Sequence, residues 1–299
     1  MSEVAIGIDL GGTRIKAIAI DKQGNELSQL YLPTNDGDDS VWKNAVAEAV
    51  KRLKEKISVD DLIIGISAPG LPDDGNTCIA YMPGRLQGLE KFSWSAYLKQ
   101  RTWVLNDALS ALLAEAKYGA AKNKKHVVML TLGTGVGGAI MIDGKLYQGA
   151  FGKAGHIGHM VINSSDEPDI TGMPGSLEDC IGNVTIEKRS GGKFTSTREL
   201  LDACRNNDPF ANEIWLTSIR HLAIGLATVT NILSPEVIVL GGGISECGDM
   251  MFTPLKEFMN KYEWKAGGKG VEIVKARFGD LSGAMGAATF AFEKELEQL

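Results

Sequence analysis

Two carboxylates stand where an apolar strand gives way to a turn, and each has neighbours suited to chemistry. Asp9 closes the apolar run from Val4 to Ile8, and Leu10, Gly11, Gly12 and Thr13 follow before a second run, Ile15 to Ile20, departs. Only glycine enters positive φ without a steric cost, so the stretch reads as a strand, a tight turn and a returning strand. The glycines leave backbone N–H groups uncovered beside Asp9, and such a turn can take a phosphate or its metal. A plain hairpin with an Asp-capped turn has the same pattern. Asn106 and Asp107 follow the strand-like Thr102-Trp103-Val104-Leu105 and open an Ala- and Leu-rich helix that Gly119 stops. Either residue suits a helix N-cap. A carboxylate at a strand's C-terminal end is equally where open α/β sheets bind ligands.

The first turn has an echo. Val128 to Asp143 aligns with it at a constant offset of 122, with Leu10/Leu132, Gly11/Gly133, Ala17/Ala139, Ile18/Ile140, Ile20/Ile142 and Asp21/Asp143 identical. A repeated strand–glycine turn–strand suggests two related halves, whose turns could grip one polyphosphate. Further on, His156 and His159 share a glycine-rich loop, which raises the odds of a polar pocket over a lone structural histidine. Ser176 with Asp179 resembles a capping box, so Glu178 reads equally as a first-turn carboxylate. Gly241-Gly242-Gly243 follows the apolar Val237 to Leu240 and would let another molecule approach closely.

Elements that would position these residues follow from periodicity. A third strand covers residues 26–32, an amphipathic helix 41–56, and a buried strand 62–67 that Ala68-Pro69-Gly70 breaks. Residues 33–40 and 73–93 read as loops. Helices are expected over 197–206, over 210–232 with an interruption at Gly225, over 249–262, and from 282 to the end, with a strand over 271–274. Hairpin strands mixed with helices and buried strands imply an α/β chain.

Composition sets limits. At 299 residues the chain is near the size where single cores divide in two. With 44% hydrophobic and 23% charged residues it is ordinary for a soluble globule. A formal charge of −6 argues against nucleic acid as the main partner. No apolar run is expected to reach the roughly 20 residues of a membrane span, and the start at Val4 leaves no room for a signal peptide or a DNA-binding head. Four scattered cysteines fit a reducing cytoplasm and make a structural zinc site unlikely to assemble.

With these pieces placed, the chain resembles the ROK family of sugar kinases within the actin/hexokinase/Hsp70 superfamily, nearly end to end. Asp9 to Lys16 looks like the first phosphate motif, Leu132 to Gly138 like the second, and Leu240 to Ile244 like the adenosine motif. Ser67-Ala68-Pro69-Gly70 and Asn106-Asp107 fall where the family places sugar contacts and its catalytic aspartate.

The resemblance implies two actin-like (ribonuclease H-like) α/β domains with mixed sheets flanking a cleft. The smaller would span 1–107 with a C-terminal helix from about 283 packing back on it, and the larger 108–282. It implies ATP and Mg²⁺, with Asp107 as general base. Gly70, Asn106, Asp107, His156, His159 and Glu178 would bind the sugar. Asp9, Gly11, Gly12, Thr13, Lys16, Gly133, Thr134, Gly135, Gly241, Gly242 and Gly243 would bind the nucleotide, and Asp9 would hold Mg²⁺ directly or through water. Domain closure would exclude water.

Two departures bear on this. His156 stands where the family commonly has a glutamate, and a histidine cannot offer two acceptor oxygens. Asp169, Thr171 and Ser176 stand where the family's zinc loop carries cysteines, so no zinc site is expected. The resemblance therefore points to a glucose kinase, with N-acetylglucosamine or N-acetylmannosamine as rival substrates and polyphosphate as a rival donor. A sugar-sensing regulator of the same family is disfavoured, because no helix-turn-helix precedes Asp9. A homodimer is a family expectation.

Overall fold

A computed structural model describes residues 2–297 except 36, 38, 60, 83, 85, 165–167 and 170. Parts of the loops expected over 33–40 and 73–93, and the last two residues of the closing helix, therefore lie outside the described residues. The chain forms two compact units: Met1–Asn123 with Gln148–Lys153 and Arg277–Leu299, and Lys124–Tyr147 with Ala154–Ala276.

The first unit holds β1 (Val4–Leu10), β2 (Arg14–Asp21), β3 (Glu26–Pro33), α1 (Asp39–Ile57), β4 (Leu62–Ala68), β5 (Leu71–Pro72), β6 (Ile79–Tyr81), α2 (Trp94–Leu98), β7 (Thr102–Asn106) and α3 (Asp107–Tyr118). The second holds β8 (Val127–Leu132), β9 (Val136–Ile142), β10 (Lys145–Leu146), α4 (Leu177–Ile181), α5 (Ile186–Arg189), α6 (Thr197–Arg205), α7 (Pro209–Leu233), β11 (Val237–Gly241), α8 (Asp249–Tyr262) and β12 (Glu272–Lys275). The last helix, α9 (Ser282–Glu297), belongs to the first unit.

Each unit is built on a five-stranded mixed sheet of one design. The strand orders are β3-β2-β1-β4-β7 and β10-β9-β8-β11-β12. In both, a hairpin and a third strand run antiparallel on one side, while two parallel strands continue on the other. Parallel strands covered on both faces are apolar throughout, and β4 is buried at every position.

The repeat differs in one respect from its reading in the sequence. Ile15 faces Leu10 across the first hairpin, whereas Val136 rather than Gly137 faces Leu132 across the second. The second turn is one residue shorter, so the constant offset holds only up to the turn. By pairing, Lys16 corresponds to Gly137 and Asp9 to Thr131, which leaves the second turn without a carboxylate–lysine pair.

The first unit depends on how closely α9 approaches its sheet. A Cβ on Gly7 would lie 1.8 Å from the carbonyl oxygen of Ala284, and one on Gly65 1.8 Å from that of Ala287. On another face of α9, a Cβ on Gly286 would lie 1.7 Å from the Ser110 carbonyl of α3. The helix is therefore seated between β1, β4 and α3 with backbone touching backbone. Because α3 is locked to α9 in this way, the first unit runs through Asn123, not to the boundary expected at 107/108, and the two units come out nearly equal in length.

In the second unit Trp215, Ile219, Leu222 and Leu226 of α7 join a core with Val128, Leu130, Ile238 and Leu240. The interruption expected at Gly225 does not occur: α7 runs unbroken, and the missing side chain makes room for Leu177 and Met160. At 25 residues α7 is long and apolar enough to cross a membrane by composition alone, although Asn212, Glu213 and Arg220 interrupt any continuous apolar run. Its buried face in this core supplies part of that apolarity, while Leu216 and Ile232 are exposed.

Replacing Gly65 with Ala should push α9 off the sheet and lower unfolding free energy by about 1–3 kcal/mol. Urea denaturation would measure it, and an unchanged midpoint would show that α9 retreats without penalty.

Candidate active site

In the first unit the expected residues gather at the carboxyl ends of three parallel strands. Asp9 of β1 pairs in register with Ser67 of β4, and Ala68 with Asn106 of β7. That edge is where open α/β sheets present their ligand-binding groups. Both oxygens of Asp9 are held: Ser67 Oγ donates to Oδ1 at 2.9 Å, and Lys16 Nζ lies 3.0 Å from Oδ2. The Asp9 and Lys16 side chains are 13% and 19% exposed, so this ion pair is partly desolvated yet reachable. A Cβ on Gly283 would come within 2.6 Å of Asp9 Oδ1, so the first turn of α9 must be free of side chains there.

Asn106 resolves an ambiguity in the sequence. Its Oδ1 accepts from the N–H groups of Ala108 and Leu109, capping α3, while its Nδ2 donates to the Gly70 carbonyl at 2.9 Å. One amide thus fixes both the helix start and the turn after β4. Asp107 takes the first helical position, exposed, with Oδ1 accepting from the Ala108 N–H at 2.8 Å.

Both glycine turns have their carbonyls pinned from behind. Thr34 donates through Oγ to the Gly11 carbonyl at 2.6 Å and through its N–H to the Thr13 carbonyl at 3.1 Å. In the second unit the N–H groups of Asn183 and Val184 reach the carbonyls of Gly133 and Thr134, each at 2.9 Å. In a trans peptide the next residue's N–H points opposite to the carbonyl. The pins therefore turn the N–H groups of Gly12, Thr134 and Gly135 the other way. Gly133 departs from the expected set, because its N–H donates within the turn to the Gly135 carbonyl at 2.9 Å. Thr34 and Asn183 were not singled out in the sequence, since no local pattern ties them to turns so far along the chain.

The second unit also brings the adenosine-like glycines to the second turn. Gly242 has φ of 85°, and a Cβ there would lie 2.3 Å from the Leu132 carbonyl. Gly241 is buried at the end of β11, while Gly243 is exposed. Glu178, on α4 capped by Ser176, accepts the Val136 N–H on Oε2 at 2.7 Å. Its Oε1 is buried with no hydrogen-bond partner among the described residues.

His156 and His159 lie with their rings nearly parallel, 6.3 Å apart. Nδ1 of His159 lies 3.3 Å from Oδ2 of Asp169, whose side chain is fully buried. Burial works to raise the Asp169 carboxyl, but hydrogen bonds from the Thr171 hydroxyl and from the N–H groups of Thr171 and Met173 outweigh it and hold the pKa at about 2.

Against known proteins, the ROK family pattern matches residues 5–294. The chain belongs to the ROK family. It is 32% identical to a glucokinase of Halalkalibacterium halodurans, over 97% of this chain and 95% of the relative. It superposes on a ROK hexokinase of Thermus thermophilus with a TM-score of 0.86 and 29% identity, covering 98% of this chain and 99% of that one. A ROK family glucokinase of Streptomyces griseus, solved with glucose and AMPPNP, gives a TM-score of 0.81 at 25% identity over 97% of this chain and 99% of that one.

Within the ROK family, zinc is the metal the 169–178 region brings into question, and the donor set here does not fit it. Zinc takes thiolate, imidazole or carboxylate. Thr171 offers a hydroxyl already donated to Asp169 Oδ1 at 2.6 Å, and Ser176 Oγ accepts the Asp179 N–H. The loop is ordered by hydrogen bonds to a carboxylate instead.

Because the Asp169 pKa is depressed on folding, its contribution to stability is complete above the unfolded-state value of 3.8 and is lost as pH falls toward about 2. Acid titration of wild type and Asp169→Ala should show a stability gap at neutral pH that closes across this window. A gap that persists below pH about 2 would contradict the assignment.

Proposed function

We propose that this ROK family chain is an ATP-dependent sugar kinase that transfers the γ-phosphate of ATP to a hexose hydroxyl, with glucose to glucose 6-phosphate as the preferred reaction. The chain is a phosphotransferase acting on a sugar hydroxyl. The observation that carries the finer reading is the row at one sheet edge: the Asp9 turn on β1, Gly70 beyond β4, and Asn106-Asp107 at the end of β7.

In this reading Asp107 takes the proton of the sugar hydroxyl as its oxygen attacks the γ-phosphorus, the bond to ADP breaking on the far side. Its exposure at the start of α3 suits that task. Asn106, immobilised by three hydrogen bonds, and Gly70 define where the sugar sits. Within the second unit, His156, His159 and Glu178 are the proposed sugar-binding groups, Glu178 through Oε1. The proposed phosphate-binding groups are the N–H groups of Gly12 and Thr13 with Gly11 in the first unit, and those of Thr134 and Gly135 in the second, where Gly241 to Gly243 are assigned to the adenosine.

Asp9 fits Mg²⁺, a hard cation that uses one or two carboxylates together with substrate phosphates. It is a partly exposed carboxylate beside an uncovered turn, its charge balanced here by Lys16. The ion would neutralise charge developing on the transferred group. Lys16 then has a phosphate oxygen as an alternative partner. Most of this catalysis is positioning and electrostatics, as phosphoryl transfer requires. The proposal extends to a cytoplasmic homodimer with no nucleic-acid or membrane partner.

Asp107→Ala should lower turnover by about a hundredfold to ten-thousandfold, while calorimetry finds sugar binding largely retained. Turnover near wild type would remove Asp107 as the base. A coupled assay over glucose, N-acetylglucosamine and N-acetylmannosamine, with ATP and polyphosphate in parallel, tests substrate and donor together.

A further inference from the structure

The tautomer of a histidine is set by the group its other nitrogen meets. His159 meets a carboxylate: its Nδ1 lies 3.3 Å from Oδ2 of Asp169. The two ends of this contact differ in freedom. The His159 side chain keeps 30% of its surface exposed, while Asp169 has none exposed. Asp169 is also fixed in orientation, because its other oxygen, Oδ1, accepts three hydrogen bonds. They come from the Thr171 hydroxyl at 2.6 Å, the Thr171 N–H at 2.7 Å and the Met173 N–H at 3.1 Å. Its backbone closes the same turn, donating to the Met173 carbonyl at 2.8 Å and accepting from the Gly172 N–H at 3.0 Å. An ionised carboxylate only accepts. Oδ2 therefore faces the imidazole as an acceptor that cannot rotate away.

We infer that Asp169 is a positioning residue that locks His159 in the Nδ1–H tautomer, so that the ring offers its unprotonated Nε2 to the ligand as a hydrogen-bond acceptor. The ligand group it selects is a donor: a hydroxyl whose proton points at the ring. An ether, a carbonyl or a substituted oxygen at that place would meet a lone pair and be refused. His159 then supplies an acceptor in the loop where His156, unlike a glutamate, cannot supply two. The identity of the ligand as a sugar rests on the function proposed above; the tautomer does not.

The three donors on Oδ1 make the test sharp. In Asp169→Asn they would hold the amide oxygen in the Oδ1 position and turn Nδ2 toward the ring. Nδ1 of His159 would then have to accept, and the proton would move to Nε2, reversing what the ring offers to a ligand. Long-range ¹H–¹⁵N spectra at alkaline pH read this directly, with the His159 signals identified by their loss in His159→Gln. We expect Nδ1–H in the wild type and Nε2–H in Asp169→Asn. Thr171→Val loosens the turn but keeps the carboxylate, and should retain Nδ1–H. A wild-type ring protonated at Nε2 would overturn the inference. So would the same tautomer in wild type and Asp169→Asn, or a switch in Thr171→Val as complete as that in Asp169→Asn.

In kinetics, Asp169→Asn should raise the KM for the sugar by about tenfold, the effect of one hydrogen bond lost, with kcat changed less. An unchanged KM in a protein whose tautomer has switched would overturn the part of the inference that gives Nε2 to the ligand. The spectra need no substrate. A wild-type protein that phosphorylates none of the sugars tested would sink the kinase reading, while the tautomer is decided by the spectra alone.

Discussion

Backbone-to-backbone contact between α9 and the first sheet is the constraint on which much else depends. Gly7 and Gly65 sit on adjacent parallel strands, and Ala284 and Ala287 of α9 lie against them. Two strands and a helix can meet this closely only where the strand positions lack a side chain and the helix presents backbone and small residues. The seating fixes the first turn of α9, and Gly283 there lies against the carboxylate of Asp9. It also draws α3 in through Gly286, and Asp107 opens α3. The C-terminal helix thus shapes the surroundings of Asp9 and the placement of Asp107 through close backbone packing.

The two turns show how one design is adapted to unequal tasks. In each, carbonyls are held from outside the hairpin so that N–H groups point the other way. The holding residues differ, Thr34 in one and Asn183 with Val184 in the other. Only the first turn carries a carboxylate and a lysine, for the second is shorter by one residue and has Thr131 and Gly137 at the paired positions. The first turn therefore suits a cation together with its anion, and the second suits an anion alone.

Much of this was legible in the sequence because it rests on local rules. Strands ending in glycine turns, the cap at Asn106 and the Ser176 cap all follow from short-range pattern. What stayed hidden is long-range. Nothing near Thr34 marks it as the support of Gly11, and the one-residue difference between the hairpins appears only in cross-strand pairing, since identities persist at the wrong offset. The boundary was misplaced for a related reason. Asp107 follows a strand and looks like an edge, but α3 is bound to a helix more than 160 residues later through Gly286, and its Glu115 carboxylate accepts the N–H groups of Arg277 and Phe278 just ahead of that helix. Gly225 misled in the opposite direction: in a buried helix a glycine makes room for neighbours without breaking anything.

Glu178 serves a helix and a turn at once. It is a first-turn carboxylate of α4, as the cap suggests, and it is also bound to the second glycine turn through Val136. Gly135 is required for that contact, because a Cβ there would lie 2.3 Å from Oε2. The turn therefore shapes the carboxylate, and the carboxylate holds the turn. One of its oxygens is thereby committed, while the other is buried without a donor among the described residues. A buried acceptor left in that state is unfavourable, and natural proteins keep few of them. Packing alone would be served as well by an apolar side chain; in the function proposed above, the sugar supplies the donor that Oε1 lacks.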